Sequence, residues 1–315
     1  MKKVFKNPIF TFILGIILCC VTIVIAESIN SDEVLYDNSN SSSSATDVQG
    51  AIDDLYNKVI QSHSGYKMIN HIDNSISEEL ESGMYRYQGE NPNNYICFGT
   101  TNISECTSNP DNYLYRIIGF DSGGKMKLIK HTSLGLYTWN STNGDVSWPQ
   151  STLFSVLNGS DFLNNSTYIP DATWSNRILD ADWHYGRFDS TGSFDKNAEQ
   201  MTTLELGLST VNAKVGLLYL HDYYYGIPGG KNCQSNGSVC KTSWLYHNNT
   251  WTMLRAQVNY GDSFAYFYGY NSGFLSVEKL ARGNYNVFPT FYLKSTEKIA
   301  GGLGTIDNPY ILGGV

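Results

Sequence analysis

The densest chemistry-bearing stretch of the chain is Asp180-Ala181-Asp182-Trp183-His184. Two acids one residue apart could supply oxygens to Ca²⁺, which takes six to eight such ligands. The stretch lacks the glycine and the closing glutamate of an EF-hand loop, so a solvated acidic loop is the plainer reading, with His184 a surface or packing histidine. A second pair, His221-Asp222 ahead of Tyr223-Tyr224-Tyr225, has the residue types of a base and its orienting carboxylate. Read as a strand, the segment would point these neighbours to opposite faces, and no G-x-S-x-G elbow accompanies them. Paired carboxylates for glycoside cleavage need a spatial separation of about 5 to 9 Å, which a sequence does not fix. The expectation is a protein that binds rather than catalyses, with no catalytic residue assigned.

The aromatic residues are more suggestive. Trp139, Trp148, Trp174, Trp183, Trp244 and Trp251 are joined by Tyr266-Phe267-Tyr268-Gly269-Tyr270, amid abundant Asn, Asp and Gly. Rings offer apolar faces while amides and carboxylates meet hydroxyls, which is how a sugar-binding surface is made. The competing reading is that most of these rings pack in the core, with a few left exposed. The candidate ligand-binding set is Trp174, Asp180, Asp182, Trp183, Trp251 and Tyr268. No cofactor and no metal site are assigned; Ca²⁺ is admissible only at the acidic stretch.

Four cysteines outside the N-terminal apolar run form two close pairs, Cys97 with Cys106 and Cys233 with Cys240. Neither spacing is C-x-x-C, and no neighbouring histidine completes a tetrahedral zinc set. An even count in an exported domain predicts two local disulfides, each worth roughly 2 to 3 kcal/mol by loop-closure entropy.

These residues need a compartment and a scaffold. From Pro8 to Ala26 there is no charge, and a helix of that length reaches roughly the 30 Å of a bilayer core. Lys2, Lys3 and Lys6 precede the run and Glu27, Asp32 and Glu33 follow it, which places residues 1–7 in the cytoplasm and the rest outside. The expected protein is a single-pass cell-membrane protein anchored through 8–26, or a secreted one if cleaved after Ala26. The formal net charge of −8 includes those three lysines, so the remainder is more acidic still. Such a surface repels phosphate backbones, and nucleic acid is excluded as a partner.

Residues 27–64 read as a spacer and a short helix. Asn38 to Ser44 buries nothing, while Thr46 and Gln49 form a capping-box pattern ahead of Val48, Ala51, Ile52, Leu55 and Val59 at helical spacing. That stripe packs on the body or on copies of itself. From Gly65 onward, short apolar runs alternate with turn signals. Tyr113–Phe120 and Lys125–Lys130 around Asp121-Ser122-Gly123-Gly124 predict a β-hairpin. Val215–Leu220 and Phe288–Leu293 predict buried strands, Pro289 placing the second at an edge or a strand start. Ser151–Phe162 predicts a helix.

Several segments resemble uncharacterised bacterial surface proteins with an N-terminal membrane segment. They are Leu80–Tyr87, Asn94–Gly99 and Leu114–Gly119, then Trp148–Leu153, Leu157-Asn158-Gly159, Phe162-Leu163 and Phe288–Lys294. Together they look like a domain of unknown function similar to the C-type-lectin-like fold of the sulfatase-modifying-factor group. The closing stretch Gly302–Leu312 and the segment Ala45–Leu55 are similar to recurrent bacterial surface and phage-fibre motifs. The resemblance implies an α+β, β-rich, lectin-like ectodomain over 65–315 that recognises a carbohydrate or another surface protein. The alternative is a structural or assembly protein displayed through an oligomerising short helix. The paired-cysteine, copper-dependent chemistry of the active members of that group has no matching motif here.

Overall fold

The computed structural model of the chain describes residues 85–121, 124–142, 146–189, 197–228, 241–247, 250–257, 263–268, 276–278 and 284–313, with Asp47 and Val48. Met1–Ser62 and His63–Val315 are separate compact units. Among the described residues no helix is long and apolar enough to cross a membrane; the run 8–26 lies outside them, as do nearly all of the expected helix 47–61 and the pair Cys233 and Cys240.

The second unit is mixed α+β and strand-rich, with three sheets among the described residues. The first sheet is antiparallel throughout. Tyr85–Arg86, Leu114–Phe120, Met126–Lys130, Thr290–Tyr292 and Val215–Gly216 lie side by side in that order, and Tyr95–Cys97 also pairs with Leu114–Phe120. The expected hairpin is present, Tyr115 facing Lys130 and Ile117 facing Leu128. Every residue of both its strands is buried, so the sheet is covered on two faces rather than one. Thr290–Tyr292 starts directly after Pro289 and runs between two neighbours, so the proline marks a strand start and not an edge.

The second sheet joins Ser276–Glu278, Ser263–Tyr268, Thr250–Gln257, Tyr285–Asn286 and Leu136–Tyr137 in that order. Ala181–Asp189 lies parallel to Thr250–Gln257 and antiparallel to Ser209–Ala213. Ile299–Gly301 and Ile311–Leu312 make the third sheet.

Two expectations of local structure are corrected. The strand expected over Val215–Leu220 is reduced to Val215–Gly216, and Leu220–Tyr225 is a helix with all six residues buried. The backbone N–H groups of Leu220 and His221, at that helix's start, donate at 2.9 Å to the buried Glu205 carboxylate, which satisfies donors a helix start leaves open. The helix expected over Ser151–Phe162 spans Thr152–Leu157, capped by Ser151 Oγ accepting from the Phe154 N–H. At its end the Asn158 side chain bonds both backbone groups of Val215 at 3.0 Å.

Cys97 and Cys106 are disulfide-bonded and fully buried, tying strand Tyr95–Cys97 to helix Ile103–Ser108. The core is aromatic: Phe98 packs on Tyr115, Trp174 and Phe291, and Trp139 packs on Trp148 and Trp251.

Candidate functional site

Strand Ala181–Asp189 decides what becomes of the acidic stretch. Alternation along it sends Trp183 inward and leaves Asp182 outward, with Asp180 exposed just before the strand begins. Asp182 Oδ1 accepts from Asn212 Nδ2 at 3.0 Å across the strand pair, and Asp180 Oδ2 lies 3.5 Å from Lys214 Nζ. These two carboxylates border a cleft of about 360 Å³, whose wall also includes Asp121, Lys125, His184, Tyr219 and Tyr292. The two tyrosines come from the helix approach after Val215–Gly216 and from the central strand Thr290–Tyr292. The cleft is thus bordered by residues of strand Thr290–Tyr292 in the first sheet and of strand Ala181–Asp189 in the second.

Behind Tyr219 and Tyr292 lies a set of charges wholly inside the protein. Asp222 accepts from Arg86 Nε at 2.8 Å on one oxygen and from Lys127 Nζ at 2.6 Å on the other. Arg86 also donates to Asp121 at 3.2 Å and to the carbonyls of Tyr85 and Phe120. The Lys127 ammonium sits 4.2 Å from the Tyr219 ring centre, 5.0 Å from that of Tyr292 and 5.5 Å from that of Trp183. His221 Nδ1 lies 2.7 Å from Glu205 Oε2. Burial by itself would raise the Asp222 carboxyl; Lys127, His221 and Arg86 outweigh it and hold the group well below the usual carboxylate range. Burial lowers the Lys127 ammonium despite its partner, and it pushes the Tyr219 and Tyr292 phenols well up. Both phenols therefore keep their protons. The Tyr219 hydroxyl accepts from the His184 backbone N–H at 2.6 Å, while the Tyr292 hydroxyl has no hydrogen-bond partner among the described residues.

The site brings Asp180 and Asp182 together with Trp183, but not in the role expected of the ring. Trp183 is fully buried, donates its indole N–H to the Ala213 carbonyl at 3.1 Å and backs Tyr219 and Tyr292. Trp251 is equally buried, bonded to the Tyr137 carbonyl at 2.7 Å and packed on Trp139 and Tyr285. Trp174 packs edge-on to Phe98 with Arg177 over its face. All six tryptophans are buried, so none offers a free face for stacking. Burying these large rings is worth more than displaying them, since each removes 150–250 Å² of largely apolar surface from water. The backbone of Tyr268 lies in strand Ser263–Tyr268, and its side chain falls outside the described residues.

His221 and Asp222 are corrected as well: they lie on a helix and not a strand, and both are inside the protein, with Asp222 bound to two cations and His221 set against Glu205. Sequence reasoning missed Arg86, Lys127, Glu205, Tyr219 and Tyr292. The available signal was weak: Lys127 within the apolar run Met126–Ile129, and Arg86 between two tyrosines. No group of acidic residues, histidines and cysteines among the described residues is arranged to hold a metal ion. A larger recess of about 700 Å³ borders Arg177, Lys294, Glu297 and Lys298, but Arg177 is committed to Glu297 and the Gly313 carbonyl, and the lysines are exposed. It presents no convergent set of polar groups.

No known family, curated protein or solved structure matches this chain.

Proposed function

We propose that the protein is a non-catalytic binding module held at the outer face of a cell membrane by residues 8–26, and that its lectin-like body recognises a carbohydrate. The observation that carries this reading is the cleft joining Asp180 and Asp182 to Tyr219 and Tyr292. Its volume of about 360 Å³ lies near the lower end of the roughly 300–1,000 Å³ of small-molecule sites, room for one or two sugar rings. Carboxylates accept from sugar hydroxyls, the Tyr292 hydroxyl donates to a sugar oxygen, and the tyrosine carbons supply apolar contact. Anionic sugars are disfavoured by three wall carboxylates against the one wall cation, Lys125. The buried charges fit a scaffold role, since Asp222 already holds Arg86 and Lys127.

A glycan panel probed with the full-length chain in mild detergent tests the proposal. Binding should weaken in Asp182→Asn and in Tyr292→Phe while the thermal midpoint stays put. A folded wild-type chain that binds no member, or binding indifferent to both substitutions, would overturn it in favour of a displayed structural protein.

A further inference from the structure

Resting on the cleft reading above, we infer that the sugar this site selects carries a protonated amine: an amino sugar in preference to its N-acetylated or uncharged counterpart.

Two independent features meet in the cleft. The first is its charge. Asp121, Asp180 and Asp182 border it against the single wall cation Lys125. Each carboxylate has one oxygen engaged by the protein: Asp121 Oδ1 by Arg86, Asp182 Oδ1 by Asn212, and Asp180 Oδ2 near Lys214. The second oxygen of each has no partner among the described residues. The second feature is Tyr292. Its side chain is nine-tenths buried and backed by Lys127 and Trp183, yet its hydroxyl borders the cleft with no hydrogen-bond partner among the described residues. A protonated phenol in that position offers its O–H to an acceptor oxygen or nitrogen on whatever enters.

The two features together narrow the ligand. A ligand that covers the cleft strips water from carboxylates, which is unfavourable unless an opposite charge replaces the water. A neutral sugar would meet Tyr292 and leave that desolvation only partly compensated by hydroxyl donors. A bare cation would meet the carboxylates but leave the Tyr292 O–H without an acceptor. A phosphate or uronate would meet Tyr292 and be repelled by the acids. An ammonium group on a polyol ring satisfies both sets, its N–H donors directed to the outer carboxylate oxygens and a ring or hydroxyl oxygen accepting from Tyr292.

Chitosan and chitin tetrasaccharides differ only in N-acetylation and are the probes to use. Titrated into the full-length chain in mild detergent, the chitosan oligomer should bind about tenfold more tightly at low salt, the sum of a few partly screened ion pairs. That advantage should shrink as ionic strength approaches about 1 M, where the screening length falls to about 3 Å. The double substitution Asp180→Asn/Asp182→Asn should bring the affinity ratio close to one, and Tyr292→Phe should weaken both oligomers. Equal affinities in the wild type overturn the inference. So does an advantage undiminished by the double substitution, because it would then arise away from Asp180 and Asp182. Failure of a folded chain to bind either oligomer or any other panel glycan overturns the cleft reading itself.

Discussion

Lys127 Nζ donates to Asp222 Oδ2 at 2.6 Å, with neither side chain exposed and a sequence separation of 95 positions. The bond ties the second strand of the hairpin to helix Leu220–Tyr225. It also anchors the ammonium around which Tyr219, Tyr292 and Trp183 are arranged. The inner faces of the cleft tyrosines are thus fixed by a charge that never meets solvent, and the cleft's shape depends on residues that do not border it.

Removing the shared anion should therefore be severe. Asp222→Ala leaves Lys127 and Arg86 buried with lost partners, and truncating one member of such a set costs about 3–5 kcal/mol. Urea unfolding measures this. Adding Lys127→Met to Asp222→Ala should recover part of the loss, since one uncompensated charge goes with it. Strict additivity of the two substitutions would show that the pair is not coupled.

Legibility in the sequence followed the range of the interactions involved. The hairpin was readable because Tyr113–Phe120 and Lys125–Lys130 flank their own turn, and the Cys97–Cys106 bond because nine positions separate its ends. The acids at 180 and 182 were readable as exposed because unpaired carboxylates stay solvated, although the loop expected there is corrected to strand Ala181–Asp189, with Asp180 just before it. The arrangement behind them was not. Arg86, Lys127 and Asp222 meet only through sheet order, across separations of 95 and 136 positions, and no spacing rule reaches that far. For the tryptophans the core reading holds and the binding-set reading of Trp174, Trp183 and Trp251 does not: composition reports that rings are plentiful, whereas their exposure depends on what packs over them.

The contact between Trp183 and Gly216 gives a sharp test of packing at the cleft floor. A Cβ on Gly216 would lie 2.4 Å from the indole ring, closer than real contacts allow. Gly216→Ala should cost about 1–3 kcal/mol by overpacking, and Trp183→Ala about 3–5 kcal/mol by cavity formation. Combined, they should cost less than their sum, because the added methyl enters the space the ring vacates. Asp182→Asn, on the exposed side of the same strand, should change stability by no more than about 0.5 kcal/mol. Thermal and urea unfolding of the four variants decide the matter, and additive losses for the glycine and tryptophan changes would refute the contact.

Acid sensitivity should come from histidines held neutral. Burial, then Arg116 and His131, lower the His247 imidazole from its ordinary 6.5 to about 4; burial, then Arg116 and Lys130, do the same to His131, with Asp111 opposing. Phe288 stacks on His247 at 4.4 Å between ring centres, and Arg116 is itself clamped between Tyr95 and Trp244, so neither imidazole can easily move away from the charge. The unfolded chain takes up protons as pH falls below about 6.5, whereas the folded chain resists until about 4. Stability contributed by the neutral state is therefore complete above the higher value and is lost progressively toward the lower one. For His247, which is only partly shielded from water, the loss should be about 1–3 kcal/mol. Urea midpoints compared at about pH 7 and about pH 4.5 should fall more for the wild type than for His247→Gln, the glutamine having no proton to gain. The carboxylates titrate alike in both proteins, so the difference between the two curves isolates the imidazole. Parallel curves would mean that His247 charges as readily in the folded protein as in the unfolded chain.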